Sequence, residues 1–390
     1  MTRLTLRRGH DRRVRAGHPW IFSNEIAALD SPVEPGAAVT VVAADGQPLG
    51  TGYYNPHSLI AARLLSRREE TIDNPGFFIA ALKKALEYRA RTCGGLDAVR
   101  LVHGEGDGLA GLVADRYGDV LSVQLLTMGM EVRRAALVDA LREVLAPRAI
   151  VARNDSGARD LEGLPRATEM LFGEAPAEPV AVTINGLRFA VDVMGGQKTG
   201  LFLDQRENCR SLAGLVEGAE VLDLFCYAGA WSLHAAAYGA RSVTGVDASA
   251  AAVRRAEENA HLNGCQERCR FIAGDVFDVL RGERGRRYGT VILDPPAFIK
   301  SRRHLDEGKK SYLTVNRRAL ELVAPGGYLL TCSCSHHLDR ASFLALIAQA
   351  AQQARRSVRL VEMRGQAADH PILPACPETD YLKCAVLYVE

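Results

Sequence analysis

The alternation of apolar and polar positions divides the chain into three stretches of different period. Over residues 1–72 the apolar runs are short and β-type, such as Ala38-Val-Thr-Val-Val-Ala43, and are broken by Pro35-Gly36 and Asp45-Gly46. Asp45-Gly46 predicts a tight hairpin, because glycine accepts the positive φ that such turns need. This is the pattern of a small β-rich module. Over residues 73–180 the period changes. Asn74 is placed to cap a helix and Pro75 suits its first position; Phe77, Phe78, Ala81, Leu82 and Leu86 then recur at helical spacing. A β-rich passage at 101–123, a second helix near 131–145 and a strand at 149–152 complete a small central α/β (α+β) domain. Its glycine-dense His103-Gly-Glu-Gly-Asp-Gly108 is expected to be a turn, since Glu105 and Asp107 would oppose an anion. Residues 153–180 are polar and aperiodic, and are expected to be a linker or surface excursion.

The third stretch, 181–390, opens with a hairpin at Val182–Val191, turned by Asn185-Gly186. Asp204 and Glu207 have capping-box spacing, which predicts a helix from Gln205; its N-terminal amides, with Lys198 and Arg206 near, could receive a carboxylate or phosphate. Strand-like runs at 220–225, 242–247, 270–273, 289–294 and 327–332 then alternate with helix-like runs beginning near Gly229, Ser249, Asp275, Leu313 and Arg340. Such alternation predicts a parallel sheet with helices on both faces. Two last β-type runs, 358–361 and 383–389, have no long helix between them and can pair as an antiparallel edge. The predicted class is α/β: a Rossmann-like domain preceded by a small α+β domain and a β-barrel-like N-terminal module.

Composition changes this picture little. A chain of 390 residues exceeds one hydrophobic core. The net charge of +2 hides a cluster: Arg3, Arg7, Arg8, Arg12, Arg13 and Arg15 face only Asp11 among the first fifteen residues. Such a basic arm favours phosphates. Nine scattered cysteines, with no apolar leader before them, predict free thiols in a reducing cytoplasm. Neither Cys265/Cys269 nor Cys332/Cys334 repeats a CxxC spacing, so no metal is expected. No apolar run approaches a membrane span.

The candidate chemistry sits at strand ends, where open α/β sheets bind ligands. Val221-Leu-Asp223-Leu-Phe-Cys-Tyr227-Ala-Gly229 has a single glycine, so neither a pyrophosphate cradle nor a GKS/T loop is present. Asp247, about twenty residues on, suits ribose hydroxyls, and Asp275 offers a carboxylate for an adenine amine. A ribose-bearing cofactor without pyrophosphate points to S-adenosylmethionine. Asp294-Pro-Pro-Ala-Phe298 and Cys332-Ser-Cys334-Ser-His-His337 would then share one cleft if their strands are adjacent.

These motifs, with Gly196-Gln-Lys-Thr-Gly-Leu-Phe-Leu-Asp-Gln-Arg206 and Gln366-Ala-Ala-Asp-His-Pro371, resemble the class I S-adenosylmethionine-dependent methyltransferases. More narrowly they are similar to the RlmI-type cytosine-5 methyltransferases of large-subunit ribosomal RNA. Gly9-His-Asp-Arg-Arg-Val-Arg-Ala-Gly-His-Pro-Trp20-Ile-Phe22 resembles the opening of a PUA domain, an RNA-binding barrel. Trp20, Phe22, Tyr53 and Tyr54 could stack on bases, but core filling is the expected first role of aromatics in so small a module. The resemblance implies ribosomal RNA as partner, a cytoplasmic location and no membrane, with a homodimer left open. It implies Cys334 as nucleophile, Asp294 as its catalytic companion, and a cofactor set of Phe202, Asp204, Arg206, Asp223, Tyr227, Gly229, Asp247, Ala248, Ser249, Asn263, Asp275, Val276, Asp294 and Pro295.

The expected chemistry follows. Carbon 5 of cytosine becomes nucleophilic once a thiolate adds to carbon 6, and cysteine is partly ionised at neutral pH. Asp294, its pKa raised by burial against Pro295 and Phe298, would hydrogen-bond the ring nitrogen as charge develops there. Strand alternation puts Cys332 and Cys334 on one face and does not choose between them; the family pattern favours Cys334. His336 and His337 stand where a small residue is expected. Either they end the strand or His336 carries the carbon-5 proton. Two other readings stay open: a methyltransferase of exocyclic base amines, against which Ala297 stands between the prolines and Phe298, and a catalytically inactive RNA-binding or ribosome-assembly protein. If RNA binds, neutralising Arg12, Arg13 and Arg15 is expected to flatten the salt dependence.

Overall fold

The structure, a computed structural model, describes residues 1–283, 285–299 and 301–390, with Arg302 described by its backbone alone. It forms two compact units. Unit 1 comprises Met1–Val182, Val191–Leu203 and Ala368–Thr379; unit 2 comprises Thr183–Ala190, Asp204–Ala367 and Asp380–Glu390.

Unit 1 holds two sheets. The first contains β1 (Thr2–Leu6), β2 (Trp20–Ile21), β3 (Ile26–Leu29), β4 (Ala38–Val42), β5 (Pro48–Tyr54) and β6 (Ala62–Ser66), in the order β2-β6-β5-β4-β1-β3. Leu4, Leu6, Val39, Val41 and Leu64 alternate inward to fill its core, as period-2 strands require. The arginine-rich start is therefore not a free arm. It is β1 followed by the short helix Arg12–Arg15. Tyr53 is fully buried, its hydroxyl donating to Ala110 O at 3.0 Å and sharing a 2.9 Å bond with Thr127 Oγ1, so this aromatic does fill the core.

The second sheet runs β11-β10-β9-β8-β7, from β7 (Ala98–His103), β8 (Leu112–Tyr117), β9 (Val120–Leu125), β10 (Ala149–Asn154) and β11 (Ala167–Phe172). The helix Pro75–Thr92 begins as its cap predicts, with Asn74 Oδ1 accepting from Phe77 N at 3.0 Å. Phe78 and Leu82 of this helix share a core with Leu137 and Leu141 of the helix Arg134–Leu145. The glycine-dense loop is a 3-10 turn, Gly104–Asp107, in which Asp107 accepts from His103 N at 2.6 Å and pairs with Arg89. Residues 153–180 depart from expectation. They carry a 3-10 turn, Gly157–Glu162, and β11, which pairs antiparallel with β10. Two polar side chains of the turn point inward: Arg159 and Glu162 are buried, Arg159 bonded to Glu131 at 2.9 Å and Glu162 to Arg63 at 2.8 Å. Buried ion-paired residues in an otherwise exposed stretch leave a surface-like composition, which hides the turn and the strand.

The hairpin β12 (Val180–Ile184) and β13 (Leu187–Val191) turns at Asn185 (φ 51°) and Gly186 (φ 83°). Unit 2 then carries β14 (Glu220–Leu224), β15 (Ser242–Asp247), β16 (Cys269–Ala273), β17 (Tyr288–Leu293), β18 (Val323–Ser333), β19 (Val358–Arg364) and β20 (Lys383–Val389), ordered β16-β15-β14-β17-β18-β20-β19. The first five of these run parallel, and β20 is antiparallel to both β18 and β19. The helices Ala230–Ala237, Ala250–Leu262, Val276–Gly282, Leu305–Leu322 and Arg340–Ala354 connect them. The fourth starts eight residues before the predicted Leu313. Its first turns contain Gly308, where a Cβ would lie 2.8 Å from Phe298 O, so glycine is needed for close approach although it reads as a helix breaker. No helix among the described residues is long and apolar enough to cross a membrane.

Candidate active site at the carboxyl edge of the sheet

In unit 2, β14 lies between β15 and β17. The chain leaves β14 toward β15 on one side and leaves β17 toward β18 on the other, so a crevice opens between their carboxyl ends. Asp223, the loop after it, and Asp294 are all delivered to that crevice.

The loop Phe225–Gly229 is strained. Phe225 (φ 67°) and Tyr227 (φ 46°) occupy the left-handed region together with Gly229 (φ 82°), at about 1–3 kcal/mol for each non-glycine residue. Three bonds hold it there: Cys226 N to Val246 O at 3.0 Å, Tyr227 N to Asp247 Oδ2 at 2.9 Å, and Asn259 Nδ2 to Ala228 O at 3.0 Å. Asp247 also accepts from Ser249 N at 2.8 Å, and Ser249 caps the helix Ala250–Leu262. Asp275 caps the helix Val276–Gly282 through Oδ1, which accepts from Phe277 N and Asp278 N at 2.8 and 3.1 Å. The capping and the binding readings of these aspartates are thus compatible, because a carboxylate has lone pairs to spare. Asp223 is fully buried and accepts from Ser232 Oγ at 2.6 Å, while its Oδ1 has no partner among the described residues. Burial pushes its pKa up to about 7.

Asp294 follows β17, and Cys334 follows β18, which pairs parallel with β17. The expected adjacency is realised: Cys334 Sγ lies 4.0 Å from Pro295 O. Asp294 accepts from Gln205 Nε2 and Trp231 Nε1, both at 3.0 Å, one on each oxygen. An N–H donor on each oxygen fixes the orientation of this carboxyl group. The two cysteines are also distinguished. Cys332 is fully buried and registers with Cys384 on β20, and burial drives its thiol pKa well up. Cys334 lies just past the strand and is half-buried. Ser335 Oγ accepts from Ile299 N at 3.2 Å and shares a 3.0 Å bond with Tyr312 OH, fixing the turn. His336 and His337 are exposed at the strand end, and His336 packs its ring 5.5 Å from that of Tyr381.

The remaining expected residues have the following surroundings. Asn263 stands at the C-terminal end of the helix that Ser249 starts, fourteen residues away and so ~21 Å distant; its side chain bonds Arg188 N and O at 2.9 and 2.7 Å. Asp204 does not cap a long helix. A 3-10 turn, Leu203–Gln205, is followed by a single helical turn, Arg206–Cys209, and Asp204 Oδ2 accepts from Tyr381 OH at 2.6 Å. The anion site proposed for that helix start therefore has no helix behind it. Arg206 is buried, and its carbonyl accepts from Asn185 Nδ2 at 2.8 Å. Phe202 belongs to unit 1, its ring 4.7 Å from Lys198 Nζ. Val276 is buried in the sheet core, Pro295 is buried beside Asp294, and Ala248 is exposed. The sequence pattern does not mark Gln205 or Trp231 as a partner of Asp294. Trp231 carried a signal, since a buried indole N–H needs an acceptor.

In unit 1, His18, Cys376 and Glu378 lie together. Trp20 N donates to His18 Nδ1 at 3.1 Å, so the neutral ring keeps its proton on Nε2 and donates it to Glu378 at 3.2 Å. No ring lone pair is left for an ion, and the group is a hydrogen-bond cluster rather than a metal centre.

A family model of S-adenosylmethionine-dependent methyltransferases matches residues 99–383. The chain belongs to this family. A model of the PUA-like domain matches residues 4–67. A protein of Shewanella denitrificans named Ribosomal RNA large subunit methyltransferase I is 40% identical over 99% of both chains. A protein of the same name from Vibrio cholerae is 40% identical over 98% of this chain and 99% of its own. The family resemblance read from the motifs is thus borne out. A solved structure provisionally described as a methyltransferase, complexed with SAH, shares the fold at a TM-score of 0.86, with 21% identity and full coverage of both chains. A provisionally described SAM-dependent methyltransferase from Streptococcus mutans aligns at 0.85, with 22% identity and full coverage of both. S-adenosylmethionine is the cofactor, and the crevice fits it. The molecule carries an ammonium and a sulfonium, and the crevice edge presents Asp223 with an unpartnered oxygen, Asp247 and Asp275.

Proposed function

We propose that the chain methylates carbon 5 of a cytosine in large-subunit ribosomal RNA, with Cys334 as the covalent nucleophile. The observation that carries this reading is the placement of a half-buried Cys334 beside the Asp294-Pro295 turn, while Cys332 lies fully buried. The curated relatives, named for the large-subunit ribosomal RNA they act on, supply the substrate class.

S-adenosylmethionine supplies an electrophilic methyl group. Asp247 would hold its ribose, Asp275 its adenine amine, and the Phe225–Gly229 backbone with Asp223 its amino-acid end. Cys334 adds to carbon 6 of the flipped pyrimidine, which raises electron density at carbon 5. Asp294, steadied by Gln205 and Trp231, faces the pyrimidine and hydrogen-bonds its polar edge. After methylation a base removes the carbon-5 proton and Cys334 is expelled. The PUA-like module at 1–72 and the central segment at 73–180 present the RNA to the catalytic segment, 181–390, in a cytoplasmic protein.

An RNA substrate containing 5-fluorocytidine tests the mechanism, because fluorine blocks the final elimination. With cofactor present, the stalled adduct is expected on the peptide bearing Cys334. An adduct on Cys332, or turnover by Cys334→Ala at the wild-type rate, would sink the proposal.

A further inference from the structure

Lys383 begins β20 and registers opposite Ser333 of β18, one residue before Cys334. It is 3% exposed. Its Nζ donates to Ser335 O at 2.8 Å and to Tyr381 O at 2.6 Å, so it binds the carbonyl immediately beyond Cys334. We propose that Lys383 is a positioning residue for Cys334, clamping the turn that carries the thiol and placing a buried positive charge beside it to favour the thiolate. The inference rests on the reading of Cys334 as nucleophile.

An ammonium is a costly way to tie two carbonyls together. Taking it out of water costs several kcal/mol, and a neutral glutamine could donate to the same oxygens. A buried cation therefore calls for an anionic partner. The carboxylates that act on Lys383 are committed elsewhere: Asp380 pairs with Arg340 at 3.3 Å, and Asp339 caps the helix Arg340–Ala354 through Ser342 N at 2.7 Å. Among the described residues neither makes an ion pair with Lys383. Burial draws the Lys383 pKa down to about 8, and of the groups that oppose this, Cys334 acts most strongly, ahead of Asp380 and Asp339, with Arg340 working the other way. Tyr312, bonded to Ser335, also faces Cys334, and burial keeps its hydroxyl protonated. Lys383 thus remains an ammonium near neutral pH, where the thiolate is needed. A nearby cation lowers the pKa of a thiol by favouring its ionised form.

The test is the pH profile of iodoacetamide alkylation at Cys334, read peptide by peptide in the full-length protein, with the half-buried Cys93 of unit 1 as internal reference. Wild type is expected to show a Cys334 midpoint below that of Cys93. Lys383→Met is expected to raise the Cys334 midpoint by about one unit, tenfold less thiolate at pH 7, with Cys93 unmoved and Lys383→Arg restoring most of the shift. An unshifted Cys334 profile in a Lys383→Met protein that still binds S-adenosylhomocysteine overturns the inference. Should that variant fail to fold, a wild-type Cys334 midpoint at or above that of Cys93 overturns it equally. The readout needs no turnover, so an active Cys334→Ala enzyme would remove the nucleophile reading while leaving the Lys383 result to stand or fall separately.

Discussion

Asp223 and Asp294 lie at the ends of neighbouring strands, yet their surroundings differ. Asp294 has an N–H donor on each oxygen, whereas Asp223, in a fully buried site, has one hydroxyl donor and an oxygen with no partner among the described residues. The folded pKa of Asp223, about 7, lies above its ordinary value of 3.8. The folded state therefore holds a proton that the unfolded chain releases. Its stabilising contribution is complete below pH 3.8 and is lost as pH rises through about 7. Asp223→Asn is expected to flatten this part of the pH dependence of unfolding by denaturant; an unchanged slope between pH 4 and 7 would count against the assignment. Cys332→Ala, which deletes one buried sulfur, is expected to cost about 1–2 kcal/mol of stability while methylation persists. The acidic strand ends and Cys334 were legible because each is set by its position after an apolar run. Gln205, Trp231 and Lys383 were not, because their meaning lies in a hydrogen bond to a residue on a distant element.

The element that shapes the crevice is the loop Phe225–Gly229 with the helix it starts. A Cβ on Gly229 would sit 3.1 Å from Ala256 Cβ at φ 82°, so Gly229→Ala is expected to cost about 1–2 kcal/mol. Because the strain falls on the loop, S-adenosylhomocysteine affinity measured by calorimetry should drop with it; wild-type affinity would show that the loop is not the cofactor cradle. The parallel strands and most helix starts were legible, since their apolar periods are long and their caps local. Three elements were not. Arg159 and Glu162 pass for surface residues until their ion pairs are seen. Gly308 passes for a breaker until its contact with Phe298 is seen. Asp204 and Glu207 match a capping box, yet Asp204 is taken up by Tyr381 and no long helix follows.

At the scale of the molecule, the basic start of the chain is reassigned. Arg13 pairs with Glu25 at 3.0 Å and stacks on Phe22, and Arg15 pairs with Asp11. Arg8 and Arg12 are exposed and make no ion pair among the described residues. Neutralising Arg8 and Arg12 together should lower the log–log salt slope of RNA binding by about 1–2, whereas Arg13→Ala should lower stability more than the slope. An unchanged slope in the double variant would place the RNA on another face. The central claim concerns the product: 5-methylcytidine formed through Cys334. Nucleosides from large-subunit ribosomal RNA, quantified by mass spectrometry after incubation with cofactor and protein, measure it directly. The account predicts a gain of 5-methylcytidine with wild type and none with Cys334→Ala. A methyl group on an exocyclic amine instead, or an undiminished gain with Cys334→Ala, would contradict it.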